Sequence, residues 1–220
     1  FFLPFKFESD EYRSMIFRKI GFFLFALWAS ISFLLGEEIA WGKIKAEKGV
    51  TVYKADVQGR VAFRGVGEMT GSPEDLVSII EDPSGWKNWI ENFKSGKLIE
   101  EINPEHKVFY QAIKSPFPVS DRDVVFESRI IRDSPDKIRM EMKSVTHPKA
   151  PKTIGTRIDI IFSRYSIEKI NQNKIAVTFE TLSHPGGALP DFLVNWASEN
   201  YPVTLLNGLA VQLRNLNKKK

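Results

Sequence analysis

"SHPGGALPDFLVNWASENYP", residues 183–202, sets two adjacent glycines and a proline before a run rich in Phe, Leu, Val and Trp. Pro190 suits the first turn of a helix, where its missing N–H would have no intrahelical partner anyway. Leu189, Phe192, Leu193, Trp196, Val203, Leu206, Ala210 and Leu213 then recur at helical spacing. Val194, Leu205, Leu209 and Val211 widen the stripe beyond the single face that an ordinary surface helix buries. The spacing predicts one long helix to about Asn215, kinked or divided at Pro202. A helix apolar on more than one side needs cover from more than one side, some from protein and some from a ligand. Gly186 and Gly187 let the preceding strand turn sharply into that helix, and they are the expected hinge of a moving lid.

Upstream the chain reads as strands. "KVFYQAIK", "DVVFESRII", "KIRMEMKS", "GTRIDIIFSRYSIEKI" and "KIAVTFETL" are separated by turn sequences such as "RDSPD" and "NQN". In "IRMEMK", Ile138, Met140 and Met142 point one way while Arg139, Glu141 and Lys143 point the other. The same inward phase is assigned to Ile158, Ile160 and Phe162, and to Ile175, Val177 and Phe179. Such alternation predicts an antiparallel sheet with one apolar and one wet face. "GVTVYKADV" and "VAFRGVGEM" pair across a Gln58–Gly59 turn. Ser72 as N-cap, Pro73 at the first helical position and Asp75 in a capping-box-like place then start a helix. Pro83 breaks that run, so two short helices are expected, the second carrying Trp86 and Trp89, which read as core. The fold class is α+β, with one curved antiparallel sheet, one long C-terminal helix, and no repeat or second domain.

Composition narrows the function. At 220 residues and 43% hydrophobic, the chain builds one domain with a real core. The net charge of +4 comes from bases interspersed with acids, and Lys218–Lys220 form the only basic run at the end. No nucleic-acid partner is expected from such a surface. The absence of cysteine excludes disulfides, thiolate metal sites and cysteine nucleophiles. His106, His147 and His184 sit in turn sequences without metal-ligand spacing, so neither a metal nor another cofactor is expected. "GVGEMTG" (65–71) has GxGxxxG spacing and no parallel βαβ unit around it, against a dinucleotide loop. Ser128, His147 and Asp159 lack the GxSxG elbow a hydrolase triad would need. Few charges fall in the inward phase of the strands, which disfavours acid–base catalysis.

The N-terminal part differs. Residues 1–14 read as an upstream extension, with Met15 as the natural start. Across 15–37, Arg18 and Lys19 precede an apolar run, Ile20–Gly36, that ends at Glu37 and Glu38. This layout fits a secretory signal. With Leu34 where a small residue is favoured, an uncleaved signal-anchor over 16–36 fits too, and a buried core helix is a third reading. Either leading reading makes the protein exported (periplasmic or extracellular) or membrane-tethered.

Three stretches resemble the START domain, the steroidogenic-acute-regulatory-related lipid-transfer family of the helix-grip superfamily. "GWKNWIENF" is similar to the family's tryptophan-bearing helix. "SPFPVSDRDVVFESRI" is similar to its Pro-x-x-x-Arg-Asp start of a central strand, through Pro118, Arg122 and Asp123. "HPGGALPDFLVNW" is similar to its turn into the C-terminal helix, with His184 where the family usually carries Asp. Ser128 stands where several animal members place a cavity arginine, so that arginine's recognition of a head group is not carried over. The resemblance covers about 45–215 of a domain placed at 41–217 and implies a sheet gripping a lid helix, one lipid or sterol in an enclosed cavity, a membrane surface as partner, no catalysis and a monomer. The inward phases nominate Phe126, Met140, Met142, Ile158, Ile160, Phe162, Val177, Phe179, Phe192, Trp196 and Leu206 as cavity residues. Arg122 and Asp123 read as structural, tying the strand start to a neighbouring loop. Two rivals stand beside this reading: a cyclase- or hydratase-like enzyme on a polyketide-like substrate, and a ligand-free membrane-tethered interaction module.

Overall fold

The structure, a computed structural model, describes residues 39–187 and 191–219, and of 191–198 the backbone alone. The expected signal or anchor over 15–37 lies outside the described residues. Among the described residues no helix is long and apolar enough to cross a membrane.

The Gln58–Gly59 turn joins β2 (Val50–Val57) to β3 (Arg60–Thr70), with both turn residues at positive φ, 56° and 76°. That is the handedness a two-residue hairpin requires, because it matches the twist of the strands. Helix α1 (Pro73–Glu81) starts where Ser72 accepts a hydrogen bond from the Asp75 N–H, 3.2 Å. The second expected helix is a single 3-10 turn, Trp86–Asn88. The Asp82 carboxylate takes both the N–H and the hydroxyl of Ser84, at 3.0 and 2.6 Å, holding the chain in a local turn that competes with helix.

The strands β5 (His106–Ile113), β6 (Arg122–Ser134), β7 (Lys137–Ser144), β9 (Asp159–Asn171) and β10 (Lys174–His184) follow the predicted runs. Periodicity missed β1 (Gly42–Glu47) and β4 (Phe93–Asn103). Both are edges of the sheet, whose order is β1-β2-β3-β10-β9-β7-β6-β5-β4. Edge strands are kept polar against stray pairing: "GKIKAE" alternates but over only two apolar positions, Ile44 and Ala46, and "FKSGKLIEEIN" carries no clean alternation. All neighbours on that path are antiparallel, and a two-residue β8 (Thr156–Arg157) adds a parallel pairing to the start of β6.

One predicted phase is corrected. Leu182 of β10 stands opposite Phe162, yet Ser183 stands opposite Ile160, so β9 carries one extra residue, Ile161. A single inserted residue sends every later side chain to the other face. Phe162 therefore points outward, under the Arg164 guanidinium at 4.5 Å from its ring centre, and Tyr165 and Ile167 point in.

Helix α2 (Asp191–Asn217) runs unbroken through Pro202, which does not divide it. Pro202 is buried against β3 at Gly65, where an added Cβ would stand 2.8 Å from the proline's own Cβ. Packing there holds a helix that the proline alone would interrupt. Val203, Leu205, Leu206, Leu209 and Leu213 join Val52, Phe109, Phe126, Met140, Ile167 and Val177 in one apolar cluster. The sheet thus folds one face about the helix from both sides, each such side chain contributing about 1.5–3 kcal/mol by burial. A smaller cluster of Val108, Tyr110, Ala112 and Val125 occupies the opposite face under Val145 and Ala150.

Candidate functional site

Between the inner face of the sheet and α2 lies a cavity of ≈ 60 Å³. Its walls come from both short elements after β3 as well as from the sheet and the helix. Ile80 and Glu81 end α1, Trp86 and Trp89 bracket the 3-10 turn, Phe109, Phe126 and Met142 come from adjacent strands, and Tyr201 and Leu205 from α2. The aromatic wall is continuous: the Trp86 ring lies 6.2 Å from Phe126 and 5.5 Å from Phe109. Burial pushes the Tyr165 phenol well above its ordinary pKa, so it stays neutral.

The polar atoms of this wall divide in two. Trp86 Nε1 donates to the Ile80 carbonyl at 2.8 Å, and Glu81 Oε2 accepts from Lys107 Nζ at 2.6 Å. Three buried atoms have no partner among the described residues: Trp89 Nε1, Glu81 Oε1 and Ser128 Oγ. All three belong to residues that line the cavity.

The corner into α2 is tied to the start of β6. Gly186 and Gly187 both hold φ of +68°, a conformation costly for any residue with a Cβ. The Gly186 N–H donates to His184 Nδ1 at 3.2 Å, so this histidine does the work of the acceptor expected from an aspartate there. Arg122 Nη2 donates to the Gly186 carbonyl at 3.5 Å. Asp123 is fully buried and accepts from Arg157 Nε at 2.8 Å, the Ile154 N–H at 3.0 Å and Thr153 Oγ1 at 3.3 Å. Burial alone would raise its carboxyl, yet Arg157, the Ile154 N–H and Thr153 together hold it below the usual carboxylate range.

The START domain family model matches residues 27–219. The chain belongs to the START domain family. The family is a lipid-binding one, and the antiparallel sheet with its long C-terminal helix matches solved START structures. Human STARD10 superposes with a TM-score of 0.73 at 21% identity, covering 87% of this chain and 81% of that one. Human StAR-related lipid transfer protein 5 gives a TM-score of 0.74 at 18% identity, over 87% and 95%. In sequence, the phosphatidylcholine transfer protein of Mus musculus is 28% identical over 186 residues, 81% of this chain and 86% of its own length. An uncharacterized protein of Pseudomonas aeruginosa is 26% identical over 187 residues, 83% of this chain and 92% of its own.

Of the residues nominated from this START chain's sequence, Phe126, Met142, Ile160 and Phe179 line the cavity. Met140, Val177 and Leu206 are fully buried behind it in the core, and Ile158 packs against that core without reaching the cavity. Phe162 is on the opposite face. The side chains of Phe192 and Trp196 lie outside the described residues. Sequence reasoning missed Glu81, Trp89, Ser128 and Tyr165 as lining. A signal existed for Ser128, which shares the inward phase of Phe126 on β6, while Glu81 reads only as the end of a helix.

Proposed function

We infer that this START domain is a lipid carrier that holds one hydrophobic ligand beneath α2 and releases it chemically unaltered. The observation that carries the reading is an aromatic and apolar cavity between the inner face of the sheet and α2. The name of the murine relative, a phosphatidylcholine transfer protein, supports a lipid as the cargo. At ≈ 60 Å³ the closed cavity has room for only part of a lipid, so loading requires α2 to move off the sheet. Each methylene shielded from water would contribute ~0.8 kcal/mol.

Catalysis is disfavoured by the wall itself. Among the described residues Glu81 is its sole carboxylate and no histidine, lysine or arginine lines it, whereas acid–base chemistry needs a matched donor and acceptor. Docking on a membrane surface is supported by Phe117, 98% exposed on the loop beside the α2 corner and close in sequence to Lys114. Export or tethering rests on the Arg18–Lys19 flank and the apolar Ile20–Gly36 run, and predicts that a version starting at Met15 leaves the cytosol.

The test is native mass spectrometry of protein incubated with lipid vesicles, beside a vesicle-to-vesicle transfer assay. One intact lipid per chain and accelerated transfer are expected. A bound species of altered mass would make the cavity catalytic, and an empty protein with no transfer would leave only an interaction module.

A further inference from the structure

Trp89 and Ile90 line a second space besides the cavity, an open groove of ≈ 350 Å³ between the turn at Lys48, the 87–91 segment and α2. Its least exposed residues are Trp89, Ile90 and Val203, at 9%, 8% and 3%, and its charged ones are Lys48, Lys87 and Glu91. The partition between groove and cavity is one layer of side chains. Trp89 and Ile90 belong to no strand, and their N–H groups share the Trp86 carbonyl at 3.1 and 2.9 Å. From the other side α2 gives Leu205 to the cavity and Val203 to the groove. The helix closes on the partition at Gly208, where an added Cβ would stand 2.7 Å from the Trp89 carbonyl oxygen.

The two spaces differ in charge. The Lys48 side chain is 73% exposed and reaches only Glu47, at 3.8 Å, while Lys87 pairs with no acid among the described residues. The cavity has no lysine, arginine or histidine in its described wall, and it holds the Glu81 carboxylate. A negatively charged group buried there would lose its hydration with no cation to replace it. In the groove the same group keeps its water and meets two ammonium groups against one carboxylate. A cationic group would be repelled by that balance. A flat bilayer surface does not reach Trp89, Ile90 or Val203, which lie beneath a polar rim and are no more than 9% exposed. The groove therefore suits one charged group attached to a hydrocarbon chain.

Resting on the carrier reading above, we propose that the cargo is a lipid with a negatively charged head group, which stays in this outer groove at Lys48 and Lys87 while its hydrocarbon passes Trp89 into the cavity. Movement of α2 away from the 87–91 segment joins the two spaces into one. The charge stays hydrated at the rim, so the cavity needs no cation of its own. Contacts to exposed lysines are weak, so they set the choice among lipids and not whether a lipid binds.

The experiment incubates the full chain with vesicles of equal parts dioleoylphosphatidylglycerol and dioleoylphosphatidylcholine, and identifies the captured lipid by native mass spectrometry. The two lipids share their acyl chains and sit in one surface, so the strength of docking is the same for both. Phosphatidylglycerol should be captured about three- to tenfold beyond its share. Lys48→Gln and Lys87→Gln should each lower that excess about two- to threefold, and the double variant should abolish it. Glu91→Gln removes the like charge from the groove and should raise the excess. Lys54→Gln makes the same change in net charge outside the groove and should leave it as it is. All four side chains are exposed, so the melting temperatures should stay within about 2 °C of the parent. Capture in the vesicle's own proportions, an excess of phosphatidylcholine, or an excess that survives in the double variant would overturn the groove and spare the carrier reading. Capture of no lipid at all would remove the carrier reading and this proposal with it.

Discussion

Asp123 and Ser128 stand five residues apart on β6, and both are completely shielded from solvent. Around Asp123 the protein converges from the 153–157 segment: an arginine, a threonine and a backbone N–H all donate to one carboxylate. Around Ser128 nothing among the described residues comes to meet the hydroxyl. The strand changes face between them, since Asp123 points away from α2 and Ser128 toward it. A buried polar group with all its partners supplied by the chain serves the fold, because folding alone recovers its desolvation cost. A buried polar group left without partners keeps that cost uncompensated. The two regions therefore set a satisfied polar site beside an unsatisfied one on a single strand.

The strongest attempt to break that division is Asp123→Ala. It should cost about 2–3 kcal/mol, since it removes the acceptor shared by Arg157, Thr153 and the Ile154 N–H, while Arg157, 37% exposed, can turn to water and keeps the loss below that of a fully buried ion pair. Urea unfolding would measure this, and lipid capture per folded molecule should not change. A pH series sharpens the same point. The Asp123 pKa is lowered in the fold, so its contribution is complete above the unfolded value of about 3.9 and is lost as pH falls through the folded value. In Asp123→Asn that part of the acid-side loss should be absent, and unfolding curves below about pH 4 should be flatter than in the parent.

Smaller effects test the corner. Gly186→Ala should cost about 2 kcal/mol, combining a left-handed φ with a Cβ placed 2.5 Å from Thr156 Cγ2. Gly187→Ala keeps the same φ penalty but meets nothing nearer than 3.6 Å, so about 1 kcal/mol is expected. If the corner is also a hinge, both should slow lipid exchange beyond what their melting temperatures account for. Proline at either place cannot reach φ of +68° and would break the corner instead of stiffening it.

The smallest effects lie on either side of the sheet. Phe162→Ala should cost under about 1 kcal/mol and leave lipid capture intact, as befits a half-buried ring on the outer face. Ser128→Ala should shift stability by less than about 1 kcal/mol, and upward if at all. Thermal melts of the empty protein would reverse the comparison if Ser128→Ala proved the more damaging of the two.

The parts of this protein legible in its sequence are those whose causes are local. The Gln58–Gly59 turn, the Ser72 cap, the alternation of "IRMEMK" and the glycine corner each depend on a few adjacent residues, and the structure keeps all four. Arg139 and Glu141, placed on the wet face by that alternation, indeed pair there at 2.8 Å. The edge strands were hidden because an edge kept polar by lysines and glutamates leaves few apolar positions for a period to show. The extra residue at Ile161 was hidden because a bulge leaves no mark in composition, yet it decided that Phe162 faces out and Tyr165 faces in. Sequence by itself determined a sheet, a long C-terminal helix and the glycine turn before it, since those follow from periodicity and backbone preference. Only the tertiary structure brought the end of α1, the turn at Trp89 and the middle of β6 to one cavity wall. Hydrogen-bond satisfaction belongs to atoms distant in the chain, so which polar groups would be left unpartnered there was settled by packing alone.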